Sequence, residues 1–238
     1  MPELILNQTG TPRLMNPTST TAEPDLDRYD GVSFDLFGTL VTVERPDDPA
    51  AAIAAELDAR GVSVPDDWAI AYAEPQIEIP EGRELSLFKH VRAALSSRVD
   101  SGVAPPEPDA IERSVLAAFE AEIHTRVGAV RAVEAITEWG PTGVLSNCSV
   151  PGLVERTLDR SDVDETTFDA IVTSVGCGWR KPHPRAFETI ADELGIRVDR
   201  LLHVGDDPYA DGGADAAGAD SVLVSTLDLD ALTAVVDT

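Results

Sequence analysis

Residues 32–41 read VSFDLFGTLV, an apolar run that carries one carboxylate, Asp35, and turns at Gly38 before the chain becomes polar. Its branched and aromatic side chains predict a strand over about residues 31–37. A strand end with a turn-forming Asp-x-x-Gly is the simplest interpretation of this stretch. Three later segments supply a hydroxyl, a lysine and an acidic cluster, which are the partners that a nucleophilic carboxylate needs. The functional prediction therefore depends on the whole set of segments.

The C-terminal half of the chain alternates between strand and helix patterns. Strands are predicted at about residues 142–145, 168–174, 201–204 and 221–224, and helices at 127–139, 151–159, 184–194, 210–217 and 229–236. Apolar strands that alternate with helices indicate a parallel sheet covered on both faces, so the predicted fold class is α/β, with a Rossmann-like three-layer α/β/α core. Asp35, Ser146 and Asp206 each fall at the C-terminal end of a predicted strand. We expect them at one edge of the sheet, where such folds bind ligands.

The sequence predicts an arm, a core and an insertion. Residues 1–28 contain four prolines and no sustained periodicity, which is typical of a flexible N-terminal arm. Residues 47–126 show helical patterns at about 50–60, 65–73, 84–98 and 107–125 and no convincing strand, so we predict an inserted all-α domain. The core is then formed by residues 29–46 and 127–238.

The composition is strongly acidic. The chain has 238 residues, 43 Asp plus Glu against 18 Lys plus Arg, a net charge of -25, and only two lysines, Lys89 and Lys181. Acidic residues spread along the whole chain indicate a charged surface of the kind found in salt-accumulating halophiles, because molar salt screens the self-repulsion. The same charge argues against nucleic-acid binding, which needs a basic surface. Without a membrane-length apolar run or a secretory signal, and with two cysteines outside any CxxC pattern, the chain is predicted to be cytoplasmic, with reduced thiols and no membrane partner.

Four segments in order carry a family resemblance: FDLFGTL at residues 34–40, LSN at 145–147, RKP at 180–182 and VGDDPYAD at 204–211. They resemble the four ordered motifs of the haloacid dehalogenase superfamily. The match runs through about residues 31–225, and the helical insertion resembles the C1 cap of that superfamily. The resemblance implies a hydrolase with an aspartate nucleophile.

The resemblance also implies a role for each matching residue. Asp35 would be the nucleophile, Lys181 would neutralise it and the transferring group, and Ser146 and Asn147 would bind the substrate. Asp206, Asp207 and Asp211 would repel one another without a cation, so a hard ion with oxygen ligands is the expected counter-charge. By resemblance this ion is Mg²⁺, held by Asp35, the backbone carbonyl of Phe37 and Asp206, with Asp211 behind them. The expected partner is a small phosphorylated substrate; the sequence does not specify an oligomeric state.

One departure from the superfamily pattern leaves alternatives open. Phosphatases of this superfamily usually have a second aspartate two residues after the nucleophile, and it protonates the leaving group. Here that residue is Phe37, as in the 2-haloacid dehalogenases, where halide leaves unprotonated. Those dehalogenases lack the metal carboxylate that Asp206 supplies here, so we favour a Mg²⁺-dependent phosphatase. The alternatives are a 2-haloacid dehalogenase-like hydrolase and a catalytically impaired protein that keeps the fold to bind a ligand or partner.

Five other residues are weaker candidates for the site. Lys89 and His90 lie on a predicted helix of the insertion, where surface positions are expected. His203 lies in an apolar strand and is predicted to be a hydrogen-bonded core histidine, and His183 is predicted to belong to a turn. Nothing near Cys148 in the sequence predicts an activated thiolate.

Overall fold

The computed structural model describes residues 24–98 and 107–236. Its larger sheet has five parallel strands in the order β5-β4-β1-β6-β7. These strands are β1 (Gly31–Phe34), β4 (Thr142–Ser146), β5 (Ala170–Thr173), β6 (Leu201–Gly205) and β7 (Asp220–Leu223), and a separate ribbon is formed by β2 (Val41–Val43) and β3 (Ile123–Thr125). The central strands are buried along their whole length, as their continuous apolar sequences predict.

Helices cover both faces of the larger sheet. The helices are α1 (Pro49–Ala59), α2 (Trp68–Ala73), α3 (Leu87–Ser96), α4 (Pro108–Ala118), α5 (Ala129–Trp139), α6 (Leu153–Asp159), α7 (Ser174–Cys177), α8 (Pro184–Glu193) and α9 (Leu229–Val236). Two apolar clusters result: one contains Phe34 and Ile136, and the other contains Leu145 and Phe187. The sheet and the helices on its two faces form the predicted three-layer Rossmann-like core. Because β1 lies between β4 and β6, the strand order reverses direction beside β1.

The insertion is helical, with one exception that corrects the sequence prediction. Helices α1 to α4 pack against one another, and the apolar side chains of Ile53, Leu57 and Val115 are fully buried. The helix predicted over 107–125 ends at Ala118, and Ile123–Thr125 forms β3, which pairs antiparallel with β2. The prediction of no strand in 47–126 was therefore wrong. Three residue pairs, from Val41 with Thr125 to Val43 with Ile123, form this ribbon, which joins the start and the end of the insertion.

The predicted arm, residues 1–28, lies outside the described residues except at its end. There a short 3-10 turn, Leu26–Arg28, buries the side chain of Leu26, and the Tyr29 hydroxyl donates a hydrogen bond to Asp220 at 2.7 Å. Leu26, an apolar residue of the predicted arm, therefore belongs to the core. The predicted helix at 210–217 is also shorter and tighter, a 3-10 helix over Gly212–Ala217.

No helix in the described parts of the chain has the length and apolar character that crossing a bilayer requires.

Candidate active site

Three adjacent strands bring the predicted site residues to one edge of the sheet. Asp35 directly follows β1, Ser146 is the last residue of β4, and Asp206 directly follows β6. Because β4, β1 and β6 are parallel neighbours, their carboxyl ends lie side by side. Local sequence explains the sharp turn after Asp35, since Gly38 has a φ of 99°, a conformation that glycine adopts without steric cost. A Cβ atom at Gly38 would also overlap the carboxylate of Asp206.

Lys181 connects two of the carboxylates beneath this edge. Its side chain is 1% exposed, and its ammonium nitrogen lies 2.8 Å from Asp35 Oδ1 and 2.6 Å from Asp211 Oδ1. It donates a third hydrogen bond to the carbonyl of Leu145 at 2.7 Å. The three N–H groups of the ammonium are thus all engaged. Burial opposes the charged form of this lysine, but the charges of Asp35 and Asp211 outweigh it and raise the pKa of Lys181 above its ordinary value.

Asp211 is enclosed by donors. Its Oδ1 accepts from Lys181 and from His203 Nε2 at 3.0 Å, and its Oδ2 accepts from the backbone N–H groups of Asp206 and Asp207, each at 2.9 Å. Burial alone would raise the pKa of Asp211, but the hydrogen bond from His203 and the charge of Lys181 hold it well below its ordinary value. Four donors fill the acceptor sites of a carboxylate, so Asp211 orients the loop and Lys181.

His203 belongs to the site, which sequence reasoning missed. The prediction of a buried, hydrogen-bonded histidine is confirmed, and one of its partners is a predicted site residue: Nε2 contacts Asp211, and Nδ1 lies 2.8 Å from the hydroxyl of Ser33. Burial and the nearby charge of Lys181 lower the pKa of His203 to about 4, so the ring is neutral at pH 7. The signal was two polar residues, Ser33 and His203, at the same register of adjacent apolar strands.

The carboxylates of Asp35 and Asp206 are stabilised by fewer hydrogen bonds and ion pairs than that of Asp211. Burial, together with the charge of Asp211, raises the pKa of Asp35 to about 6 although Lys181 opposes the shift. Burial and Asp211 also raise the pKa of Asp206, which receives one long hydrogen bond of 3.4 Å from Thr39 and forms no ion pair among the described residues. Oxygens of Asp35, Asp206 and Asp211 lie within 4.8 Å of one another. Three carboxylates face one ammonium and a neutral imidazole, so the site favours a further cation.

Ser146 and Asn147 behave differently from each other. Ser146 is buried, and its hydroxyl has no hydrogen-bond partner in the described part of the chain, so it is available to a ligand. Asn147 was predicted to bind substrate, but its amide pairs with the backbone of Lys181: Nδ2 donates to the carbonyl at 2.9 Å, and Oδ1 accepts from the N–H at 2.8 Å. In the structure this side chain fixes the position of Lys181.

Phe37 and the minor candidates complete the surroundings. Phe37 is half-buried with the guanidinium of Arg45 5.7 Å from its ring centre, and it offers no proton. Lys89 is exposed, and His90 contacts the carbonyl of Tyr72, so both belong to the insertion's own surface and packing.

The other two candidates are also structural. His183 caps α8 and stacks on Trp179 with ring centres 4.2 Å apart. Burial raises the pKa of Cys148 to about 11, which leaves its thiol protonated and unreactive.

A parallel sheet whose central strands end at two carboxylates, Asp35 and Asp206, with a buried lysine and a third carboxylate beside them, is typical of α/β enzymes built around an aspartate. The chain belongs to the haloacid dehalogenase-like hydrolases, whose family model matches residues 29–218. No curated protein matches the chain.

Solved structures show the same fold. CbbY from Rhodobacter sphaeroides, in complex with phosphate, is 19% identical, with a TM-score of 0.53 over 82% of this chain and 85% of that one. A 2-haloacid dehalogenase from Pseudomonas syringae pv. Tomato DC3000 is 17% identical, with a TM-score of 0.53 over 82% and 86%. A predicted phosphoglycolate phosphatase from Haemophilus somnus 129pt is 18% identical, with a TM-score of 0.50 over 82% and 84%. At these identities the likeness shows the fold alone.

Proposed function

We propose that this hydrolase is a Mg²⁺-dependent phosphatase of a small phosphorylated metabolite. The observation that carries the proposal is the charge at the strand ends. Lys181 is shared between Asp35 and Asp211, while Asp206 stands beside them without an ion pair among the described residues. Two negative charges are thus left over, which matches one divalent cation. A halide-displacing site has little use for such a cation.

The residues fit a hard ion with oxygen ligands. Asp35 and Asp206 present carboxylate oxygens close together, and Phe37 follows Asp35 by two residues on the loop after β1. These two carboxylates and the backbone carbonyl of Phe37 would hold Mg²⁺. The four hydrogen bonds to Asp211 leave it as support behind them. When bound, Mg²⁺ offsets the repulsion between a carboxylate nucleophile and a phosphate dianion.

The chain's own residues account for the steps. Lys181 holds Asp35 by Oδ1, and a carboxylate oxygen of Asp35 attacks phosphorus while the bond from phosphorus to the leaving oxygen breaks. The buried hydroxyl of Ser146 donates to a phosphate oxygen. Water then attacks the phosphorus of the aspartyl-phosphate, which releases inorganic phosphate and restores the carboxylate of Asp35.

Phe37 limits the leaving group. No side-chain proton is available at this position, and general acid catalysis contributes about 10²- to 10⁴-fold to such reactions. The enzyme is therefore expected to prefer substrates whose leaving group departs as a stable anion, such as acyl and aryl phosphates. Alkyl phosphates should react slowly.

The test is phosphate release from acetyl phosphate and p-nitrophenyl phosphate with and without Mg²⁺. We expect turnover that a chelator abolishes and added Mg²⁺ restores, and an Asp35→Asn variant that folds but is inactive. Acid quenching and mass spectrometry should locate the phosphoryl group on Asp35. Turnover that resists the chelator would contradict the metal, and a fully active Asp35→Asn variant would contradict the nucleophile.

A 2-haloacid dehalogenase is the second candidate, because Phe37 suits a leaving group that needs no proton. Chloride release from 2-chloropropionate without Mg²⁺, combined with no phosphatase activity, would select it. Loss of both activities in a protein that still binds Mg²⁺ would instead indicate a binding protein with this fold.

A further inference from the structure

A cavity of about 510 Å³ opens beside the site. Phe37 and Asn147 belong to its wall, so it lies directly next to the loops that carry Asp35 and Ser146. Much of the rest of the wall comes from α4 of the insertion and the residues that follow it, from α6 of the core and from the segment after β2. A phosphate held at the strand ends would have its leaving group directed toward this space if Phe37 occupies the leaving-group position.

The wall of the cavity combines apolar side chains with a concentration of positive charge. Leu116, Phe119, Ile123 and Leu153 supply apolar surface around Phe37. Five of the chain's 16 arginines line the same cavity, against three carboxylates, although the chain as a whole carries a net charge of -25. Positive charge is therefore gathered at this cavity while the rest of the protein is acidic, which favours an anionic ligand.

Three of the five arginines are engaged within the protein. Arg60 pairs with Glu56, Arg160 lies 3.7 Å from Glu120, and the guanidinium of Arg45 lies over the ring of Phe37.

The other two, Arg113 on α4 and Arg156 on α6, are exposed, and neither forms a side-chain hydrogen bond or ion pair with a described residue. They come from the insertion and from the core, so the cavity has an unpaired guanidinium on both of its sides. A guanidinium binds a carboxylate or a phosphate through two parallel hydrogen bonds.

We infer that this cavity holds the leaving group of the substrate, and that Arg113 and Arg156 bind a second anionic group on it, a carboxylate or a second phosphate. The inference rests on the proposed phosphatase function and adds the substrate class: a compound with a carbon framework that carries one anionic group at each end. Apolar surface around Phe37 contacts the framework, and the arginines contact the far end.

The test compares matched substrates. Para-propylphenyl phosphate is compared with the analogue whose terminal methyl group is replaced by a carboxylate, and with a third compound that ends in a phosphonate. The leaving phenol is similar in all three, so a difference in kcat/KM reports on the tail. We expect about a tenfold preference for at least one anionic tail, the gain that one additional charge-assisted contact provides. The anionic tail that gives the higher kcat/KM, carboxylate or phosphonate, identifies the group that the cavity binds.

Arg113→Gln and Arg156→Gln should each reduce this preference, because they lower kcat/KM for the compounds with an anionic tail more than for the propyl compound. Arg92→Gln is the matched control, because Arg92 is an exposed arginine of α3 outside the cavity wall. Equal kcat/KM for all tails, or a preference that survives both cavity variants, would overturn the inference.

Calorimetric binding separates the two proposals. If none of the compounds is hydrolysed, the phosphatase function fails, and the affinities of the same compounds still test the cavity. Tighter binding of an anionic tail that Arg156→Gln weakens would then support the binding site without the reaction. Equal affinities for all tails would overturn it.

Discussion

Replacing Lys181 by methionine tests the charge arrangement on which the site depends. Methionine has nearly the length and volume of the lysine stem, so Lys181→Met removes the ammonium with little change in packing. The Lys181 side chain is 1% exposed, and its ammonium nitrogen lies 2.8 Å from Asp35 Oδ1 and 2.6 Å from Asp211 Oδ1. Its removal leaves two buried carboxylates and the carbonyl of Leu145 without their shared donor.

The expected loss of stability follows from these contacts. Breaking one buried ion pair by removing one partner costs about 3–5 kcal/mol, because the other charge stays buried without compensation. One lysine serves two carboxylates here, which places the expectation near the upper end of that range. Protonation sets a limit: the pKa of Asp35 is already raised to about 6 with the lysine present, so without it Asp35 takes up a proton near neutral pH and avoids part of the penalty.

The sign of the pH dependence can be worked out. In the wild type the pKa of Asp211 is lowered, so this group contributes stability above its ordinary pKa that is lost as the pH falls below it. In Lys181→Met the pKa values of Asp35 and Asp211 both rise, so their penalty grows as the pH increases. The difference between the two proteins should therefore be largest near pH 7 and shrink toward about pH 4.

The difference in free energy of unfolding between the two proteins is measured by urea unfolding with a chelator present. Urea is uncharged and adds no salt, and the chelator removes metal ions. The chain supplies its own control, since Lys89 is the other lysine, is exposed, and forms no ion pair in the described part of the chain. Lys89→Met should change the free energy of unfolding by no more than about 0.5 kcal/mol. A loss below about 1 kcal/mol for Lys181→Met at pH 7, or a loss that grows as the pH falls, would refute the reasoning.

Four further outcomes follow from the site and the composition. Ser146→Ala should lower phosphatase activity and leave the free energy of unfolding within about 1 kcal/mol of the wild type, because the lost hydroxyl has no partner; a larger loss in urea unfolding would contradict this. Gly38→Ala should lose more stability and Mg²⁺-dependent activity than Gly61→Ala, since both have positive φ but only the new Cβ at Gly38 meets Asp206. Nitrogen NMR should show His203 neutral with Nε2 protonated down to about pH 4, and a midpoint near 6.5 would refute the assignment. The melting temperature should rise between about 0.1 M and 3 M KCl as salt screens the charge, and an unchanged value would remove the salt-adapted interpretation.

The core could be predicted because its signals are local. Apolar strands such as Thr142–Ser146 and Leu201–Gly205 are short and continuous, and the residues that follow them change abruptly to polar. In a parallel sheet this pattern alone places Asp35, Ser146 and Asp206 at one edge. No side-chain geometry is needed for that inference.

What the sequence did not predict depends on contacts between distant segments. β3 was hidden because its partner β2 lies about 80 residues earlier, and pairing between such segments has no local signature. The bonds of Asn147 to the backbone of Lys181 have no local signature either, because they connect positions 34 residues apart; its role in substrate binding stays a prediction. His203 was placed correctly in the core, and only the structure shows that Asp211 is its partner.

Phe37 and Asp206 constrain different parts of the reaction, which resolves the conflict between them. Under the proposed function, Asp35 and Asp206 hold a cation at the strand ends, because Lys181 offsets only one of the three negative charges there, and the cation in turn binds the phosphate. Phe37 lines the cavity and, in the proposed reaction, limits which group can leave, because it supplies apolar surface and no proton. A site of this kind gains nothing from an alcohol leaving group. It suits a phosphate ester or anhydride whose leaving group is already a stable anion, and the arginines around the cavity favour a leaving group that carries a further negative charge.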